Sequence, residues 1–186
     1  MKSPVLATLC AVCLSSSLAS ADGPPAAPAG PPPIPTPAPQ LKDLEYFVGK
    51  WTCTGTLSMG PAKIPTQATY TLTKELDGFY LAGRFASKKS KDNPHPHVTQ
   101  DYWSYNVGKK EFRRVNLDNF GDYAQAASPG LQGDTLTFSG TTTFGPAEVK
   151  FLESFTKKGA KEMTLSGSVD GPDGKPAVLI DYTCKR

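Results

Sequence analysis

From Lys50 onward, apolar and polar residues alternate in short runs. In 50–57, Trp51, Cys53, Gly55 and Leu57 fall on one parity, and Lys50, Thr52, Thr54 and Thr56 on the other. In 177–184, Val178, Ile180, Tyr182 and Cys184 oppose Leu179, Asp181 and Thr183. A period of two is that of a strand with one face buried. Thr, Val, Phe and Tyr are frequent, and turn residues recur at short intervals. The pattern predicts about ten strands, at 50–58, 66–75, 78–87, 98–106, 111–118, 121–127, 134–140, 146–156, 162–169 and 177–185. Asp77-Gly78, Gly133-Asp134 and Gly171-Pro172-Asp173-Gly174 are among the turns between them. Ahead of the first strand, Leu41, Leu44, Phe47 and Val48 recur at helical spacing and predict one short helical turn. Strands joined by short loops form an antiparallel meander, and closure into a barrel hides both edges. The expected fold is therefore all-β: an up-and-down barrel with a short N-terminal helical turn. A sandwich is the alternative, but its Greek keys need some long connections.

Parity also sorts the inward face. Trp51 and Cys53 are joined there by Ala68, Tyr70 and Leu72; Phe79, Leu81, Gly83 and Phe85; Trp103 and Tyr105; Phe112; Leu136 and Phe138; Val149, Phe151 and Phe155; Met163, Leu165 and Val169. So large an aromatic set fills a core or lines a cavity, since small barrels do either. Asp101, Arg114, Asn116 and Glu153 share the same parity. An inward charge is costly unless paired, so Arg114 is expected to meet Glu153 or Asp101 inside the barrel and to offer a ligand a polar handle. A bulge or register slip that turns these residues outward is the alternative. The candidate ligand set is Tyr70, Phe85, Trp103, Tyr105, Phe112, Arg114, Phe138, Phe151 and Glu153.

The N-terminal residues read differently. In 1–21, Lys2 precedes an apolar run from Val5 to Leu14, and Ala19-Ser20-Ala21 forms a small-x-small cleavage pattern. This is a secretory signal, too short for an anchor. Neither Leu9-Cys10 nor Val12-Cys13 offers the small residue that a lipoprotein cysteine needs. In 22–40, DGPPAAPAGPPPIPTPAPQ, nine of nineteen residues are proline. Such a segment is expected to be an extended tether, reaching about 60 Å at roughly 3.1 Å per residue. The barrel domain is then 41–186, and no later run is long and apolar enough to cross a membrane. The expected location is secreted or periplasmic.

Removing the signal leaves Cys53 and Cys184. An even count in an exported chain points to one disulfide, and both cysteines lie on the apolar face of the first and last strands. Two buried free thiols are the alternative. Formal net charge is +3, or +2 without Lys2, too small to argue for nucleic acid. Lys88, Lys89 and Lys91, Lys109 and Lys110, and Lys157, Lys158 and Lys161 cluster where turns are expected.

Gly49-Lys50-Trp51, opening the first strand after a helical turn, resembles the G-x-W motif of lipocalins and other calycin barrels, whose tryptophan packs across the closed end. By that resemblance Gly49 and Trp51 close the barrel. LEYFVGKWTCTG, ELDGFYL, YWSYNVGKKEF with LDNFG, and GDTLTFSG follow in an order similar to a bacterial domain-of-unknown-function family, the one numbered fifteen seventy-nine. The likeness spans most of 41–184. It implies a ten-stranded lipocalin-like barrel, and it carries over no catalytic residue because the family has no established activity. The chain has Ser104-Tyr105-Asn106 where that family has Gly-Tyr-Asp, and Asn116 where a tryptophan is common. The related nitrobindins bind haem through a histidine near the C-terminal end. The last histidine here is His97, so no cofactor is expected.

His95 and His97 lie in Asn93-Pro94-His95-Pro96-His97, an exposed loop by composition, with Asp92 and Asp101 the nearest further ligands. No metal site is expected there. Asp170-Gly171-Pro172-Asp173-Gly174-Lys175 lacks the acidic ladder of a calcium loop. G-x-S-x-G, H-E-x-x-H and phosphate-loop motifs are absent from the sequence. Three functions remain: a monomeric binding barrel for a small, partly apolar ligand; a packed envelope domain acting through protein or wall contacts; and an enzyme using inward carboxylates such as Asp101 and Glu153. The first is preferred, with no catalytic residue assigned.

Overall fold

The computed structural model describes residues 33–186, and the barrel belongs to the compact unit Pro35–Arg186. The predicted signal at 1–21, and the predicted tether as far as residue 32, lie outside the described residues. A 3₁₀ helix, Pro39–Phe47, leads into β1 (Gly49–Met59) and β2 (Ala62–Glu75). A short 3₁₀ turn, Leu76–Gly78, precedes β3 (Tyr80–Ser87) and β4 (Val98–Asn106). Then come β5 (Glu111–Asp118), β6 (Tyr123–Ser128), the two-residue β7 (Leu131–Gln132) and β8 (Thr135–Phe144). The chain ends with β9 (Ala147–Lys157), β10 (Glu162–Asp170) and β11 (Pro176–Lys185).

Sequence neighbours pair antiparallel except β6 and β7, β1 pairs with β11, and β6 pairs with β8. β7 only extends the β8 hairpin, so ten strands close the ring. The closing seam needs a glycine. A β carbon at Gly140 would stand 1.9 Å from the Gln125 carbonyl oxygen on β6, closer than any side chain tolerates.

The helical turn is longer and tighter than its sequence pattern predicts. Leu41, Leu44 and Phe47 are spaced by three, which a helix of three residues per turn stacks into one row, and all three are buried. The last two residues of the 22–40 segment, Pro39 and Gln40, belong to it. Gly49 then takes a φ of +128°, a conformation that favours glycine, and the chain enters β1. Trp51 turns inward and donates from Nε1 to the Phe47 carbonyl at 2.8 Å. Arg186 covers the same end: its guanidinium lies 4.4 Å from the centroid of the Trp51 ring and donates to the Val48 carbonyl at 2.9 Å.

Parity holds along β1, where Trp51 and Cys53 are buried and Lys50, Thr52 and Thr54 are exposed. Cys53 is the direct partner of Cys184 across β1 and β11, and the two form a disulfide that closes a loop of 131 residues. The lysine clusters fall at the β3–β4, β4–β5 and β9–β10 connections.

Candidate functional site

The barrel interior divides by height. At the helix end it is solid. Trp103 packs 4.8 Å from Phe155, 5.2 Å from Phe138 and 6.0 Å from Phe47, measured between ring centroids. Tyr105 and Phe112 pair edge-to-face at 5.1 Å. Trp103 Nε1 is fully buried with no hydrogen-bond partner among the described residues.

Arg114 lies across this aromatic floor, its guanidinium carbon 5.5 Å from the Phe155 centroid, 5.8 Å from Phe138 and 5.9 Å from Trp103. The register brings its partners in. Trp103 faces Arg114 across β4 and β5, Asp101 faces Asn116, and Phe138 faces Glu153. Arg114 Nε donates to Asp101 Oδ1 at 2.8 Å, and Nη1 donates to Glu153 Oε2. Asn116 Nδ2 donates to Asp101 Oδ1 and the Tyr70 hydroxyl donates to Asp101 Oδ2, each at 2.8 Å. Gly83, opposite Asp101, leaves the space that this cluster fills.

Burial alone would weaken the charge on Arg114. Asp101 first and Glu153 second outweigh it and hold the guanidinium pKa above its ordinary value. Burial pushes the Tyr70 phenol well above its usual range, and the charge on Asp101 adds to that while Arg114 opposes it. Tyr182 is also raised, chiefly by burial, with a hydrogen bond to Thr66 opposing. Both phenols therefore stay neutral at physiological pH.

Beyond this polar floor the barrel opens into a cavity of about 460 Å³. Its walls are largely apolar, with Leu57, Ile64, Phe85, Phe151, Val178 and Ile180 among them. A volume of this size suits a small organic ligand. The mouth is framed by two loops. His97 Nε2 lies 3.0 Å from Asp118 Oδ2, and its ring stacks on Phe120 at 5.6 Å. Asp118 Oδ1 accepts the backbone N–H groups of Phe120 and Asp122, each at 2.9 Å. Asn119 Oδ1 accepts from the Val98 N–H at 2.8 Å and its Nδ2 donates to the Pro96 carbonyl at 3.1 Å, stitching the loops together. Among the described residues, no group of three or more His, Cys, Asp or Glu side chains is placed to hold a metal ion.

Of the nine candidate ligand residues, Tyr70, Phe85, Arg114, Phe151 and Glu153 line the cavity. Trp103, Tyr105, Phe112 and Phe138 do not; they sit in the packed end. The reason is geometric: parity assigns a residue to the inner face, while its height on the barrel axis decides whether it meets a neighbour or open space. Arg114 meets both Asp101 and Glu153, and the outward alternative does not occur. The mouth residues Asp92, His95, His97, Asp118, Phe120 and Asp122 also line the cavity, although none belongs to the candidate ligand set. Meander order carried a signal for them, because alternate loops of an up-and-down barrel gather at one end.

Residues 36–186 match the family described as "Protein of unknown function (DUF1579)". The crystal structure of Rv2717c from M. tuberculosis superposes with a TM-score of 0.62 at 12% sequence identity, over 81% of this chain and 98% of that one. At that identity the likeness is one of fold alone. Comparison with curated proteins finds no match. The chain belongs to the DUF1579 family of proteins of unknown function.

Proposed function

We propose that the protein is an exported, non-catalytic barrel of lipocalin-like design that binds a small, partly apolar molecule. One observation carries this reading: the apolar cavity of about 460 Å³ that ends on the polar cluster of Arg114, Asp101, Glu153 and Tyr70. Apolar walls supply affinity and a few fixed polar groups supply orientation, which is the usual composition of a small-molecule site. The Cys53–Cys184 disulfide supports export through the leader at 1–21, since such bonds persist in oxidising compartments. The segment 22–40 then serves as a spacer ahead of the barrel. Asp101 has both carboxylate oxygens engaged, which fits a holder of Arg114 better than a free catalytic base.

The test uses the neutral probe N-phenyl-1-naphthylamine, which fluoresces on entering an apolar site. Phe85→Ala should change probe affinity, because Phe85 lines the cavity. Phe138→Ala should instead lower stability by about 3–5 kcal/mol while the folded fraction keeps its affinity. Ile180→Trp should block uptake by filling the cavity. Probe uptake untouched by both Phe85→Ala and Ile180→Trp would remove the cavity as the binding site.

A further inference from the structure

We infer that the cavity selects a ligand whose head group is cationic, of the alkylamine class, and discriminates against carboxylates of the same size. This rests on the binding-barrel reading and adds a ligand class to it. Among the described residues, Arg114 is the only lysine or arginine lining the cavity, against five carboxylates: Asp92, Asp101, Asp118, Asp122 and Glu153. The arginine is already matched, with Nε engaged by Asp101 and Nη1 by Glu153. Two formal negative charges therefore face one positive charge at the floor. A ligand carboxylate would be a third anion around a single guanidinium, between largely apolar walls that offer it no other counter-charge.

Glu153 has the spare capacity. Its Oε2 accepts from Arg114, while its Oε1 has no hydrogen-bond partner among the described residues. Trp103 Nε1 is the one fully sealed and unpartnered side-chain nitrogen or oxygen among the described residues, so Oε1 is not sealed off. The Glu153 side chain is only 13% exposed and lines the cavity, so that access leads inward. Asp101 offers no equivalent, having two donors on Oδ1 and one on Oδ2. The neutral phenols of Tyr70 and Tyr182 add no competing anion. An ammonium on an apolar tail meets its counter-charge at Glu153 and its hydrocarbon partners along the wall. Repulsion of the wrong head group supplies the specificity.

The experiment measures displacement of N-phenyl-1-naphthylamine from the disulfide-intact protein at neutral pH and low salt. The competitors are decylamine, decanol and decanoate, each below its micelle-forming concentration. Decylamine is expected to displace the probe at least about tenfold more strongly than decanoate, with decanol between them. Glu153→Gln should narrow that gap to within about threefold. The ranking on the unmodified protein stands by itself if the variant fails to fold. Decanoate binding as well as decylamine, or none of the three competing with a bound probe, overturns the head-group inference and leaves the cavity intact. No probe uptake at all overturns the binding reading and the inference with it.

Discussion

Gly83 stands directly across the sheet from Asp101, and a β carbon there would lie 3.1 Å from Asp101 Cβ and 3.1 Å from the edge of the Tyr70 ring. The missing side chain is what lets the Tyr70 hydroxyl reach Asp101. The backbone at Gly83 has no unusual φ, so only space is at issue. Gly83→Ala should therefore cost about 1–3 kcal/mol of stability, as overpacking does, read from the denaturant midpoint. It should also lower probe affinity by disturbing the cavity floor. An alanine variant as stable as the parent would show that the cluster moves aside freely.

The raised phenol of Tyr70 has a pH signature. In the unfolded chain a tyrosine releases its proton near pH 10. The folded state holds that proton to higher pH. The stability linked to Tyr70 is thus fully present below about pH 10 and is lost as pH climbs above it. Tyr182 acts in the same direction. Tyr70→Phe should cost about 1–3 kcal/mol at neutral pH, because it removes a hydrogen bond to Asp101. The variant should then lose less than the parent between pH 9 and pH 11. Parallel alkaline limbs for the two proteins would contradict this.

Reduction tests the closure between the first and last strands. A bond that spans 131 residues restricts the unfolded chain strongly, by about 5 kcal/mol in the loop-entropy treatment. The unfolding midpoint should fall sharply in dithiothreitol, and Cys53→Ala with Cys184→Ala should reproduce the fall without reductant. Two titratable thiols in the native protein purified without reductant would exclude the bond.

The two tryptophans should respond differently to the same change. Trp51 donates to the Phe47 carbonyl and lies beneath Arg186, whereas Trp103 Nε1 has no partner among the described residues. Trp51→Phe loses a hydrogen bond and weakens the close cation–π contact with Arg186. Trp103→Phe loses ring area and weakens a longer cation–π contact with Arg114, at 5.9 Å, but relieves an unpaired donor. Trp51→Phe is expected to be the costlier by about 1–2 kcal/mol in equilibrium unfolding. Equal costs would mean that Trp103 Nε1 finds a partner in solution, a buried water being the obvious one.

Much of the barrel is legible in the sequence. Alternation is a local property, and at Trp51 or Tyr182 it reports which face is wet. The predicted strand at 98–106 coincides with β4, and that at 111–118 with β5, because Gly and Asn mark the turn between them. The same parity argument placed Asp101, Arg114 and Glu153 inside. The rule that buried charges pair then named the partners without choosing between them.

What sequence determined by itself is a set of strands, their inner faces, the cysteine pair and the family. What tertiary structure alone decided is height and closure. Phe138 and Phe151 share the inner face of the barrel, yet one is sealed in the floor and the other lines open space. That difference depends on strand tilt, on register and on which side chains arrive from the far wall. The same holds for Arg114, which lies between Asp101 on its neighbouring strand β4 and Glu153 on β9 across the barrel. Local patterns carry the period of two; a cavity exists only where packed layers stop, and no local pattern encodes where that is.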